Sequence, residues 1–304
     1  MITSTSLLLA TCVVVTLSMV ESIPTHTVTH LDDCELLDLS HEFNADTVYW
    51  PGSTNFVLTN LTKQTPNLFY ATFDYGANEH GGTHMDAPYH FWKTGDTLDR
   101  VPLKKLVGEA CVIDVGSYDR SPGTDYQISI QDIQDWEAVN GQVDQGCVLI
   151  FNTGQAKFYE ERRAYLGGDT VPDLHFPGLD PETANWLVKE RKFKSVGIDT
   201  ASIDHGPSTL FESHVTLFSK GIPVFENLVN LEKLPSRGAT VVLLPMKISG
   251  GSGGPVRALA YGWKGASDPC RRRTRSIHDA ADRETPPTIL SISAALTLWV
   301  TISC

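Results

Sequence analysis

Glu79-His80-Gly81-Gly82-Thr83-His84-Met85-Asp86-Ala87-Pro88-Tyr89-His90-Phe91 is the stretch on which the reading of this chain turns. It gathers three of the chain's 10 histidines and one carboxylate between residues 80 and 90. His80 and His84 have the four-residue spacing of helical zinc motifs. Gly81-Gly82 and Pro88 argue against a helix, so the segment reads as a loop running into an extended strand. On a strand, residues two apart share a face, which puts His84 and Asp86 together. The two glycines allow the backbone to fold His80 back toward them. Two imidazoles and a carboxylate suit a divalent ion such as zinc or manganese. His90, beyond Pro88, has the titration range of a general base at neutral pH. Met85 reads as core and Thr83 as a turn residue. The bland alternative is a histidine-rich surface loop with capping and turn roles.

Outward from this stretch, residues 35–265 read as one globular unit without internal repeats. Cys34–Ser40 predicts a strand entering a turn at His41. Phe69–Tyr75 alternates aromatic and smaller residues, as a period-2 strand does. Ala110–Val115 and Cys147–Phe151 are apolar runs expected of buried strands. Pro181–Lys192 predicts a helix, with Asp180 as N-cap and Pro181 at its first position. Ser195–Ile198 is a strand, Thr209–Ser219 a helix stopped by Gly221, and Ile222–Phe225, Thr240–Leu244 and Val256–Tyr261 are further strands. This mixture predicts a single α/β domain with a mixed β-sheet flanked by helices. Gly250-Gly-Ser-Gly-Gly254 lacks the Lys-Ser/Thr of a phosphate loop and reads as a flexible loop beside the active site or a subunit contact. No Gly-x-Ser-x-Gly nucleophile elbow surrounds Ser202, Ser208 or Ser213.

The ends of the chain are far more apolar than its middle. Leu7–Val20 resembles the apolar core of a signal peptide, giving an expected leader over 1–23; an uncleaved anchor or a buried helix is the alternative. Residues 24–265 then form the domain and 266–288 a linker, with a basic run at Arg271-Arg-Arg-Thr-Arg. Residues 289–304 form an apolar tail with the layout of a GPI-attachment signal; a short tail anchor or a packed tail is the alternative. The expected location is the secretory pathway and the cell surface or exterior, with membrane contact only through that tail. Asn60-Leu61-Thr62 is a glycosylation sequon, which places a glycan on Asn60 if the chain is exported. Cys34, Cys111, Cys147 and Cys270 lie between the ends. Cys34 and Cys270 bracket the domain and are able to pair, while Cys111 and Cys147 sit in apolar strands as buried thiols. A net charge of −12 excludes nucleic acid as the main partner.

From His80 to His90 the chain matches every fixed position of the signature His-x-Gly-Thr-His-x-Asp-x-Pro-x-His. It thereby resembles the cyclase-like metal hydrolases, a group that includes bacterial-type kynurenine formamidase and isatin hydrolase. Asp38-Leu39-Ser40-His41, Trp50-Pro51-Gly52 and Gly197-Ile198-Asp199-Thr200 followed by Ser202 and Asp204 extend the resemblance over about 230 residues. His214 and Glu226 match the family's second ligand pair. The resemblance implies a swivelling β/β/α fold and a first ion on His80, His84 and Asp86. It also implies that in two-metal members Asp86 bridges to a second ion on His214 and Glu226, with His90 as base or proton shuttle. It implies hydrolysis of an aryl formamide, with N-formylkynurenine as the leading substrate and a cyclic amide such as isatin as the alternative. A surface-anchored binding protein on the same scaffold is the non-enzymatic reading. A dimer or tetramer is implied in the same way. Phe69, Tyr70, Phe73, Tyr89, Phe91 and Trp92 are expected either to clasp the flat substrate or to pack in the core.

Overall fold

The computed structural model describes residues 36–116, 124–143 and 146–263. The expected leader, the linker, the apolar tail, Cys34 and Cys270 lie outside the described residues. In chain order the strands are β1 (Leu37–Asp38), β2 (Val57–Asn60), β3 (Lys63–Thr65), β4 (Leu68–Tyr70), β5 (Phe73–Gly76), β6 (His84–Asp86) and β7 (Val107–Asp114). They continue with β8 (Gln127–Ile128), β9 (Val148–Asn152), β10 (Gly178–Leu179), β11 (Ser195–Ile198), β12 (Val224–Glu226), β13 (Thr240–Pro245) and β14 (Gly253–Tyr261). The α-helices are α1 (Ile130–Asn140), α2 (Arg162–Leu166), α3 (Pro181–Glu190) and α4 (Glu212–Ser219).

The main sheet runs β1-β14-β13-β7-β9-β11-β12-β6, and β6 pairs again with β14. The mixed sheet expected from sequence therefore closes into a seven-stranded barrel, with β1 added on the outer side of β14. Strands β7, β9, β11 and β12 are mutually parallel. The closing strand β6 is antiparallel to both neighbours, with Asp86 opposite Val224 on one side and Gly253 on the other.

Side-chain alternation explains the two cores. On β7, Ala110 and Val112 point into the barrel, with Leu39, Met85, Phe225 and Val241. Cys111 and Ile113 point outward to Ile133 and Trp136 of α1, Leu187 of α3 and Leu217 of α4. Strands covered on both faces must be apolar throughout, which is why the parallel strands read as unbroken apolar runs. Strand β13 is less covered on its outer face, and its burial alternates.

Helix α3 starts as its sequence predicts: the Asp180 carboxylate accepts from the Thr183 amide, and Pro181 occupies the first position. Helix α4 starts later than predicted, at Glu212. Phe211 takes a left-handed backbone (φ 50), and the Asp204 carboxylate accepts from the Ser213 and His214 amides in place of a local cap. Helix α1 escaped the sequence reading although it carries a Ser129/Asp132 capping box.

Two further expectations are corrected. Phe69–Tyr75 is not one strand: β2 pairs with β5 and β3 with β4 in a single register, interrupted at Ala71-Thr72. Among the described residues this long hairpin is exposed along its length, so Phe69, Tyr70 and Phe73 do not pack in the core. Asn60 ends β2 on the same exposed hairpin. The glycine-rich loop is in part a strand, because Gly253 and Gly254 pair with Asp86 and Met85. A Cβ on Gly253 would lie 2.5 Å from His80 Cε1, so only glycine lets β14 run this close to the histidine.

Candidate metal centre

Strand β6 turns its side chains alternately. Met85 is buried in the barrel core, while His84 and Asp86 face the other way and meet, with His84 Nε2 3.1 Å from Asp86 Oδ1. The preceding Gly82 has φ +56, a conformation L side chains rarely adopt. That turn brings His80 back to Asp86, Nδ1 to Oδ1 2.7 Å. Helix α4 supplies His214, whose Nε2 is 3.2 Å from Asp86 Oδ2 and 3.1 Å from Glu226 Oε1. Glu226 closes β12 and also approaches His84 Nε2 at 3.5 Å. The sequence-predicted ligands thus come together in two groups, His80/His84/Asp86 and Asp86/His214/Glu226, each with its ligand atoms within 4.8 Å and sharing Asp86.

The outer partners of the imidazoles fix which nitrogen faces inward. His84 Nδ1 donates to the Gly82 carbonyl at 3.0 Å, and His214 Nδ1 to Asp204 Oδ2 at 2.6 Å. Ser252 Oγ donates to Glu79 Oε2 at 2.7 Å and so accepts from His80 Nε2 at 2.8 Å. In its neutral form each imidazole turns a bare lone pair toward carboxylate oxygens, and buried His84 Nε2 has no hydrogen-bond partner among the described residues. Lone pairs facing carboxylates repel unless a positive charge lies between them. The donor set therefore fits a divalent cation, with the outer partners orienting each ligand.

Without a cation, a proton on His214 supplies the positive charge that the carboxylates require. Burial opposes a charge on His214, but its bonds to Asp204, Asp86 and Glu226 outweigh burial and raise its pKa well above the ordinary value. Burial likewise opposes ionisation of Asp86, yet His80, His90 and His214 hold its carboxyl well below the usual carboxylate range. Burial and the charge on Asp86 push Glu226 up.

His90 sits apart from the ligand groups, on the short turn Pro88–His90. Its ring stacks on His80 at 3.7 Å between centroids, and its Nε2 is 3.8 Å from Asp86 Oδ2. Burial, offset in part by Asp86, pushes its pKa down to about 4. It borders a cavity of about 260 Å3 that also takes in His80, His84, Asp86, His214 and Glu226. Trp50, Phe91 and Phe211 form aromatic walls, with Phe91 and Phe211 centroids 4.9 Å apart and Trp50 and Phe211 6.0 Å apart. Of the six aromatics singled out from sequence, Phe91 alone lines this cavity. Tyr89 and Trp92 stay exposed on the turn around it.

The sequence reading missed Ser252 as a partner of His80, Glu79 as the acceptor that orients Ser252, and Asn227, which donates to the Gly82 carbonyl at 2.7 Å. Ser252 left a trace, being the single side chain with a hydroxyl inside the glycine run. Phe211 left none, since its role depends on a backbone turn.

The cyclase family model matches residues 37–205. Isatin hydrolase from Roseibium aggregatum is 32% identical over 194 residues, 60% of this chain and 71% of that protein. Kynurenine formamidase from Salinibacter ruber is 29% identical over 227 residues, 74% of this chain and 96% of that protein. Among solved structures, isatin hydrolase A from Ralstonia solanacearum superposes with a TM-score of 0.69 at 27% identity, covering 76% of this chain and 93% of that one. The chain belongs to the cyclase family, as a metal-dependent hydrolase related to both isatin hydrolase and kynurenine formamidase.

Proposed function

We propose that this protein hydrolyses an aryl amide, with an aryl formamide such as N-formylkynurenine as the leading substrate and a cyclic amide such as isatin as the second. The observation that carries this reading is the double ligand group sharing Asp86, set beside His90 at the mouth of an aromatic-walled cavity. Zinc or manganese suits the mixed imidazole and carboxylate donors, held by His80, His84 and Asp86 and, for a second ion, by Asp86, His214 and Glu226. Such an ion supplies Lewis-acid polarisation of the amide carbonyl and acidifies water. His90 is neutral at pH 7 because its pKa is depressed, so its lone pair is ready to accept the proton of the attacking water. It then returns that proton to the leaving nitrogen as the C–N bond breaks. Trp50, Phe91 and Phe211 hold the flat ring by their faces and exclude water from it.

His90→Ala tests the assignment. Its kcat on N-formylkynurenine or isatin, followed by ultraviolet absorbance, is expected to fall by about 10²–10⁴-fold, with metal content unchanged. Full activity in the variant, or in chelated metal-free protein, would overturn the proposal.

A further inference from the structure

The polar cage lies at the carboxyl ends of β11 and β12. At their amino ends is a second cavity, of about 350 Å3, within the size range of small-molecule sites. Its rim is built by the turn before β7, the segment joining α3 to β11 and the segment joining α4 to β12. Lys104, Lys105, Arg191, Lys192, Lys194 and Lys220 converge there, in a chain whose net charge is −12. We propose that this cavity binds a multiply charged phosphate or sulfate ester.

Three of the cations have partners of their own. Arg191 is taken up by Glu137, through two hydrogen bonds of 2.7 Å. Lys105 donates to the Gly221 carbonyl, and Lys194 to the Val107 carbonyl at 2.9 Å. These bonds fix the two ammonium groups without neutralising them. Lys104, Lys192 and Lys220 are exposed and form no ion pair among the described residues. Helices α3 and α4 both end here, and their carbonyl ends favour a cation or two nearby. That accounts for one lysine per helix, and five are present. Like charges gathered around one cavity repel one another, and an anion between them relieves that repulsion. Lys105 is half-buried in this group: burial lowers its pKa, Asp96 pulls it back up, and Lys104 adds a smaller lowering.

The chemistry of the ligand follows from the lining. Lysine binds phosphate as a point charge, and several around one cavity suit an anion of several charges. Val188, Phe193 and Ile222 give the same cavity an apolar side, which suits the carbon portion of an ester. A soluble phosphate or sulfate ester and a phosphorylated lipid headgroup share this chemistry.

Calorimetric titration of the full-length protein with inorganic tripolyphosphate at low salt tests the site. Sedimentation with vesicles of phosphatidylcholine, with and without phosphatidylinositol bisphosphate, separates the two sources. The double variant Lys192→Glu/Lys220→Glu is expected to lose affinity by about tenfold or more. Lys63→Glu/Lys233→Glu, with equal charge change elsewhere, is expected to keep it. Hydrolase turnover serves as the folding control, because none of these lysines touches the metal centre. Binding to tripolyphosphate alone assigns a soluble ester. Lysine-dependent sedimentation with the phosphorylated vesicles assigns a headgroup. Equal weakening by both double variants, or no binding to either probe at millimolar concentration, would overturn the proposal.

Discussion

Asp204 touches neither the cavity nor a ligand atom, yet it accepts from the His214 ring at 2.6 Å and from the amides of Ser213 and His214. It therefore sets the tautomer of His214 and starts α4 at the same time. Asp204→Asn keeps the shape but loses the charge that holds Nδ1 protonated. Metal affinity measured by competition with a chelating dye is expected to fall about 10–100-fold, the usual cost of losing an outer-sphere partner. His41 predicts a different behaviour. Its ring stacks on Tyr159 at 3.4 Å, its buried Nε2 has no hydrogen-bond partner among the described residues, and burial lowers its pKa to about 4. The unfolded chain takes up a proton near pH 6.5, whereas the folded chain does so only near pH 4. Stability from this residue is thus complete above pH 6.5 and drains away as the pH falls between those values, by at most about 3 kcal/mol. His41→Phe keeps the stack. Urea unfolding of the variant is expected to show a flatter loss of stability across that window than the wild type; parallel curves would reject the assignment.

At the scale of elements, β14 and β6 come close because Gly253 has no side chain. Gly253→Ala would place a Cβ 2.5 Å from His80 Cε1 and 2.9 Å from the Met85 carbonyl. The strand must then shift, at a cost of about 1–3 kcal/mol, and His80 must leave Asp86. Gly76→Ala on the exposed hairpin meets nothing within 4 Å and is the neutral control. Thermal unfolding and metal content of the two variants check the contrast. How far the elements were legible follows from the forces that build them. The α3 cap, the apolar runs of β7 and β9, and the shared face of His84 and Asp86 depend on neighbours in sequence, and each was readable. The two-segment hairpin was not, because aromatic alternation looks the same whether a layer covers it or not. The late start of α4 was hidden because its cap, Asp204, comes from another segment. Barrel closure depends on pairing β6 with β14, whose glycines read locally as a loop. His214 and Glu226 were read by family resemblance only, since nothing in their own surroundings distinguishes a ligand from a satisfied core histidine.

Across the whole molecule, the cage couples metal to stability. Glu226, Asp86, His84 and His214 are all buried, and without a cation their charges and lone pairs oppose folding. Zinc or manganese at about a hundredfold excess over its dissociation constant is expected to add about 2.7 kcal/mol. For a domain of this size that raises Tm by about 5–10 °C. Differential scanning fluorimetry with and without chelator checks this, and His90→Ala should keep the shift while Asp86→Asn loses it. The position of β6 also determines when the cage can exist. This strand is the stave that closes the barrel, and its contacts reach far along the chain: His84 to Asn227 spans 143 positions and Glu79 to Ser252 spans 173. Closing such loops is slow, because chain entropy is lost before the contacts form. A half-folded chain carries His80, His84 and Asp86 as a local triad and lacks the walls that orient them. Metal affinity that depends on His214 and Glu226 thus requires β6 in its place between β12 and β14, so its arrival reports that the barrel has shut.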